Sequence, residues 1–249
     1  MNPSPRTGRG DGVTTRHLGD AVLRPVRAHH AFESCVEQLA TAIRLGAYPH
    51  GTALPAERDL AERLGVSRAT LREGIAALRM AGLVQTRRGR GGGTVVSFQP
   101  QQPGTGGALD LPREQLLDSL AFRRIVEPGA AYQAARTELS TTHQEDLRHA
   151  LDEVGAATDP ARHRQADSRF HLAIANATGS AMLLDAVTEV QKHLHEMLIA
   201  IPVLSTYIDH SRQQHEAIVR AILSGDASRA RRVMETHCDD TAALLRGLL

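Results

Sequence analysis

The stretch Leu54 to Arg72, LPAERDLAERLGVSRATLR, constrains the fold more than any other part of this chain. It reads as helix, tight turn, helix. Pro55 suits a first helical position, where its missing N–H costs nothing. Glu57 and Asp59 follow in the first turn, at the positive end of the helix dipole. Leu60 and Leu64 give an i, i+4 apolar face, and Gly65 ends the helix where glycine is favoured. Val66 turns inward, and Ser67 is a good N-cap for the next helix. Leu71, Ile75 and Leu78 continue an apolar stripe. Arg68, Thr70 and Arg72 are left on the other faces near the start of that second helix. A helix that enters a DNA groove needs this arrangement, with an apolar back and basic and hydroxyl groups forward. An amphipathic hairpin buried in a larger core would share the same apolar stripes.

What surrounds the stretch separates the two readings. Ala31 to Leu45 is a preceding helix with Phe32, Val36, Leu39 and Ile43 inward and Cys35 as a core filler on the packed side. Downstream, Val84–Arg87 and Thr94–Ser97 read as two short strands around RRGRGGG, Arg87 to Gly93. Strands around a basic, glycine-rich turn make a wing, whose arginines reach phosphates and whose glycines let backbone approach the duplex. A nucleotide phosphate loop is excluded, because no G-x-x-x-x-G-K-[ST] is present and no capped helix follows.

With these spacings together, Ile43–Gly46, Pro49–Ala61 and Gly65–Glu73 resemble the winged-helix domain of the GntR family of bacterial transcription regulators, over residues 31–98. The resemblance implies that Arg58, Arg68, Thr70 and Arg72 contact an operator in double-stranded DNA, with Arg88, Gly89 and Arg90 on the wing. Gly74 departs from the family pattern, where alanine is usual. Glycine inside a helix costs roughly 1 kcal/mol, which implies a less rigid recognition helix. One such helix reads too few bases to be selective, so a homodimer on a palindromic operator is expected.

Length and charge fit this division. A chain of 249 residues suggests two domains. Residues 1–98 hold 14 arginines against 8 acids, whereas the remainder holds 15 basic and 20 acidic residues. A basic N-terminal part suits a polyanion, and an acidic remainder does not. Two cysteines do not make a disulfide framework, no apolar run approaches the ~20 residues needed to span a membrane, and the N-terminus lacks an apolar signal core. A cytoplasmic chain without a membrane partner is expected.

Residues 1–28 read as a disordered basic tail, 29–98 as the winged helix, 99–111 as a Gln/Pro/Gly linker, and 112–249 as an all-α antiparallel helical bundle, expected to bind an effector and to dimerise. The fold class is thus mainly α. Six helices fit the last region: 112–137, 141–157, 160–178, 181–201, 203–224 and 226–247, punctuated by Gly179, Pro202 and Gly225. In the third, Asp167, Phe170, His171 and Ile174 share one face. In the fifth, His215 lies on the stripe of Ile208, Ser211, Ile218 and Ile222. In the sixth, His237 lies with Ala230, Val233, Thr241 and Leu244. Four groups that can ligate a metal therefore point into one interior, although a single inward histidine is usually a satisfied core residue.

This order resembles the FCD effector domain found in one GntR subgroup. DSRFHLAIANATG matches its D-x-x-F-H segment, and His215, Gly225-Asp226 and Met234-Glu-Thr-His237 match its closing pattern, with Ser180 where asparagine is often found. The resemblance implies a divalent metal ion (Zn, Ni, Mn or Fe) held by Asp167, His171, His215 and His237. Arg123 and Glu127 sit four apart on the first bundle helix, within a segment resembling the subgroup's R-x-x-[LV]-E-P. They read either as a buried ion pair or with Arg123 gripping the carboxylate of a small organic acid effector beside the metal. His193 is a second candidate effector contact, and His195 and His210 read as solvent-facing. The function expected is a ligand-responsive, non-enzymatic regulator. Its rivals are a metal-free regulator that binds an acyl thioester and a metal-dependent hydrolase fused to a DNA-binding module. Glu127 is the only inward general base the hydrolase would have.

Overall fold

A computed structural model describes residues 31–87, 93–100, 113–200 and 205–248. The basic tail, the wing-tip residues Arg88, Gly89 and Arg90, Pro202 and most of the linker lie outside the described residues.

The N-terminal unit contains α1 (Ala31–Arg44), α2 (Glu57–Leu64), α3 (Arg68–Met80), β1 (Val84–Arg87) and β2 (Gly93–Val96). The strands pair antiparallel with Val84 opposite Val96. Gly65 caps α2 in the left-handed region at φ 63°, and the Ser67 hydroxyl accepts the Thr70 N–H at 3.0 Å to start α3. Pro55 is not the first helical residue, as its position in the stretch implies. Ala53 pairs with Val95 and the Leu54 N–H bonds the Thr94 carbonyl at 2.8 Å, which keeps this segment extended along the hairpin, so the helix starts only at Glu57. The core of the unit is Cys35, Leu39, Ile43, Leu60, Leu71, Ile75, Leu78 and Val84. Gly74 also lies in it. A Cβ at this position would sit 3.2 Å from the Cys35 Sγ, so the glycine lets α1 and α3 close on each other.

The second unit is an all-α bundle of α4 (Arg113–Arg136), α5 (Thr141–Ala156), α6 (Pro160–Ala177), α7 (Ala181–Ala200), α8 (Ser205–Leu223) and α9 (Ala227–Leu248). Its punctuation is local. Ser140 and Asp159 cap α5 and α6, Pro160 opens α6, and Gly179 and Gly225 adopt left-handed φ. Pro128 lies inside α4, which continues through it. The small residues Ala130, Ala131 and Ala134 let neighbouring helices close on α4, and Phe170, Ile174, Leu147, Ile218 and Met234 fill the centre. Of the described helices, none is long and apolar enough to cross a membrane.

Helix α6 joins the two units. The buried Gln165 amide donates to the carbonyls of Ile43 and Arg44, at 3.0 and 3.2 Å, and so caps the C-terminus of α1. Arg169 reaches the Gly46 carbonyl at 3.4 Å. Gly46 has φ +79°, and a Cβ there would lie 2.3 Å from the Gln165 side chain, so only glycine fits this contact. Lys192 on α7 adds an ion pair to Glu37 on α1 at 2.7 Å.

Candidate metal centre and nucleic-acid interface

In the winged helix the buried faces decide which side chains remain outside. Leu71, Ile75 and Leu78 turn α3 inward, so Arg68 and Arg72 project from its first turns and are exposed. Arg72 leans on Glu57 of α2 at 2.8 Å, and Arg58 pairs with its neighbour Asp59 at 3.1 Å. Both are exposed pairs of the kind worth little in water, so either arginine can exchange its carboxylate for a phosphate or a base edge. The Thr70 hydroxyl lies 2.8 Å from Ser67 Oγ and is committed to the helix cap.

In the bundle, α6 carries Asp167 and His171 one turn apart, α8 carries His215 and α9 carries His237. One ligand atom from each of the four lies within 4.8 Å of the others. The imidazoles are almost wholly buried and Asp167 is half-buried. Asp167 stands 3.4 Å from His215 Nε2 and 3.9 Å from His171 Nε2. The Phe170 ring tilts against His215 at 4.3 Å between centroids and closes one side of the site.

Side chains outside the four reach two of the rings, Glu127 beside His171 and Gln214 beside His237. Glu127, which can only accept when ionised, lies 3.1 Å from His171 Nδ1. Neither nitrogen of this ring makes a hydrogen bond among the described residues, and Nε2 faces Asp167. The Gln214 amide donates to Asp240 at 2.7 Å, which turns its oxygen to His237 Nδ1 at 3.0 Å. His237 Nε2 is then a lone pair, with no hydrogen-bond partner among the described residues; the same holds for His215 Nδ1. Such carboxylate and carbonyl partners set the tautomer of metal-binding histidines.

The electrostatics agree with this arrangement. Burial pushes His215 down to about 3 against the pull of Asp167. Burial, reinforced by His215 and Arg123, holds His237 well below its ordinary value. Both rings are neutral at physiological pH, the form a metal requires. Burial opposes the charge of Asp167, but His215, His171, His163 and Arg123 outweigh it and lower its pKa. Three imidazoles and one carboxylate, with buried ring nitrogens lacking hydrogen bonds among the described residues, fit a divalent cation.

Glu127 is held from four sides. Arg123 Nε donates to it at 2.9 Å, Gln191 Nε2 at 2.6 Å and Cys238 Sγ at 3.6 Å, beside His171. Burial alone would raise its pKa, but Arg123 and His171 hold it well below the usual carboxylate range. A carboxylate held this firmly in its ionised form is a weak general base. His193 lies apart from the four. It bonds Ser119 at 3.0 Å and faces Glu189 at 3.3 Å, in the seam between α4 and α7. His195 is buried rather than solvent-facing, with Arg164 of α6 and Arg44 of α1 near it; burial and the charges of these two arginines push its pKa to about 4. His210 is exposed and pairs with Asp240. Gln191 and Gln214 are absent from the sequence reading. Gln191 stands on the apolar stripe of Val187, Leu194 and Met197, which was a usable signal.

The family model for the gntR family of bacterial regulatory proteins matches residues 32–96, and that for the FCD domain matches residues 118–240. The chain belongs to the GntR family. It is a transcription regulator of GntR/FCD type with a DNA-binding domain. RmpR of Mycobacterium gastri, named as an HTH-type transcriptional regulator, is 34% identical over 214 residues, covering 82% of this chain and 76% of the relative. A protein of Escherichia coli K12, named for regulation of an L-lactate dehydrogenase operon, is 34% identical over 202 residues, covering 75% of each. The solved structure of E. coli McbR/YncC shares the fold, with a TM-score of 0.55 over 88% of this chain and 98% of that one at 16% identity.

Proposed function

We propose that this GntR-family chain binds a palindromic operator as a homodimer, and that a small organic acid beside a divalent metal sets its affinity for DNA. The metal would be held by Asp167, His171, His215 and His237. The observation that carries this reading is the set of three buried imidazoles around Asp167, with ring nitrogens that lack hydrogen bonds among the described residues. Arg68 and Arg72 would read base edges and Arg58 the flanking backbone, with Thr70 at the start of the same helix and Arg88, Gly89 and Arg90 on the wing. The carboxylate class of effector is supported by Arg123 in the layer next to the site and by the L-lactate operon named for the relative from Escherichia coli. His193 would act at the seam between α4 and α7 rather than among the ligands. The path to DNA would be α6, since Gln165 grips α1 two residues before Asp167. A carboxylate that shifts α6 by its contacts at Asp167 and His171 would shift α1 with it, and an effector that favours one of the two positions changes affinity for DNA.

The test is metal analysis of the purified protein beside His215→Ala and His237→Ala. Each variant should lose most of its bound metal and its response to organic acids while still binding operator without effector. Chelation should lower the melting temperature of the bundle and leave the winged helix folded. Stoichiometric metal in the double variant would remove the proposed site. Arg68→Ala or Arg72→Ala should cost about 1–3 kcal/mol of specific binding in a gel shift; operator affinity equal to wild type in both would remove the groove assignment.

A further inference from the structure

Where the two units meet, they enclose a cavity of about 510 Å³. One wall comes from the winged helix, with Arg44 and Leu45 at the end of α1, Leu83 before β1 and Phe98 after β2. The other wall comes from α7, with Lys192 and His195. Small-molecule sites have volumes of roughly 300–1,000 Å³ and combine an apolar lining with a few polar groups. Leu45 and Leu83 are buried and Phe98 is half-buried, which supplies the apolar part.

The polar part says what charge the cavity takes. Its charged lining residues are two cations, Arg44 and Lys192, and one anion, the exposed Glu196. The balance is positive and suits a monoanion. Arg44 pairs with no carboxylate among the described residues. Lys192 holds Glu37 at 2.7 Å, which uses one of its three donors. His195 is 9% exposed, and its Nδ1 has no hydrogen-bond partner among the described residues. A buried polar atom left in this way is costly unless something comes to pair with it. The charges acting on this ring are the guanidiniums of Arg164 and Arg44, which together with burial keep it neutral. An anion would relieve that crowding and give the ring an acceptor. The C-terminal end of α1 would repel an anion, but the Gln165 amide already satisfies the carbonyls of Ile43 and Arg44 and weakens this effect.

We propose that this seam cavity binds a small organic monoanion, its carboxylate on Arg44 and His195 and its apolar body on Leu45, Leu83 and Phe98. The site is separate from the four-residue centre between α6, α8 and α9 and needs no metal. Its walls belong to both units, so an occupant holds α7 against the end of α1 and acts on the DNA-binding unit directly. Calorimetric titration of the full chain with benzoate, and with benzamide as its uncharged counterpart, tests the site. Benzoate should bind saturably, and benzamide at least about tenfold more weakly. Arg44→Gln changes an exposed side chain that the fold does not depend on. It should weaken benzoate binding about 10–100-fold, while His237→Ala should keep it. Benzoate should also slow hydrogen exchange at the end of α1 and along the facing part of α7 in the wild-type chain, and not in Arg44→Gln. Loss of binding in Arg44→Gln with retention in His237→Ala supports the seam whether or not the metal centre holds. No saturable binding of benzoate, equal affinity for benzamide, or an affinity unchanged by Arg44→Gln would each overturn the seam site. If His237→Ala removes the binding that Arg44→Gln leaves intact, the anion sits in the bundle, and the proposed function stands without this second site.

Discussion

Every buried polar or charged side chain among the described residues lies between Arg123 and Thr241, in the bundle, whereas the buried residues of the winged helix from Cys35 to Val96 are apolar. The two interiors follow different demands. The winged helix carries Arg58, Arg68 and Arg72 on the outside, where the proposed operator contacts lie, so its interior has only to hold a shape. The bundle buries two guanidiniums, a carboxylate and five imidazoles among the described residues, and each costs desolvation unless it is paired. Apolar side chains of similar volume would hold six helices together at least as well. A polar interior of this composition is what the proposed metal site requires.

The largest effect should come from breaking the polar interior at its most connected point. Glu127→Ala leaves Arg123 buried without its carboxylate and frees His171 to turn. It should cost about 3–5 kcal/mol of bundle stability and weaken metal binding about 10–100-fold through the lost orientation of His171. Leu71→Ala in the winged helix should cost about 2–5 kcal/mol through a cavity alone and leave metal affinity as it was. Urea unfolding followed by domain-resolved hydrogen exchange separates the two. A Glu127→Ala protein with wild-type stability and metal affinity would show that the second layer does not hold the site.

Acid provides a milder test of the same contrast. His195 has a folded pKa of about 4 against an ordinary 6.5, so between these values the unfolded chain binds the extra proton. Its contribution is complete above pH 6.5 and is lost as pH falls toward 4. By pH 5 this one imidazole should remove about 2 kcal/mol. The apolar winged-helix core has no counterpart, although Cys35 is buried there, because its thiol, raised further by burial, stays neutral throughout this range. Chelated protein should therefore lose bundle protection first on acidification, and His195→Asn should remove part of that loss. Equal acid sensitivity in the two units would contradict the contrast.

Much of this was legible in the sequence because it rests on local rules. Helix bounds in the bundle follow from Ser140, Asp159, Gly179 and Gly225, which act within a few residues of themselves. The inward positions of His171, His215 and His237 follow from helical period. That they meet around Asp167 is tertiary information, available beforehand only through the family resemblance. Pro55 was misplaced because a hairpin forty residues downstream, at Thr94 and Val95, holds Ala53 and Leu54 extended. His195 reads as outward on α7 alone and is buried in the fold, near Arg164 and Arg44 of other helices. Gln191 and Gln214 stand at inward positions, but their roles depend on Glu127 and His237 in other helices.

The smallest predicted effect lies in the apolar interior. Gly74→Ala should gain roughly 1 kcal/mol of helix propensity in α3. The new methyl would lie 3.2 Å from Cys35 Sγ, closer than ordinary contact, so either the thiol turns or α1 and α3 separate by a few tenths of an ångström. Crowding of this kind in a packed core opposes the gain. The single variant should thus change stability by less than about 1 kcal/mol in either direction. In a Cys35→Ala background the obstacle is gone, and the same substitution should give the full propensity gain. The difference between the two backgrounds is the coupling energy of the pair, and a double-mutant cycle measures it directly. A coupling near zero would mean that Cys35 is not the reason α3 accommodates a glycine. A clear coupling would show that packing alone sets the composition of the winged-helix core, while at Glu127, with the same experiment, charge does.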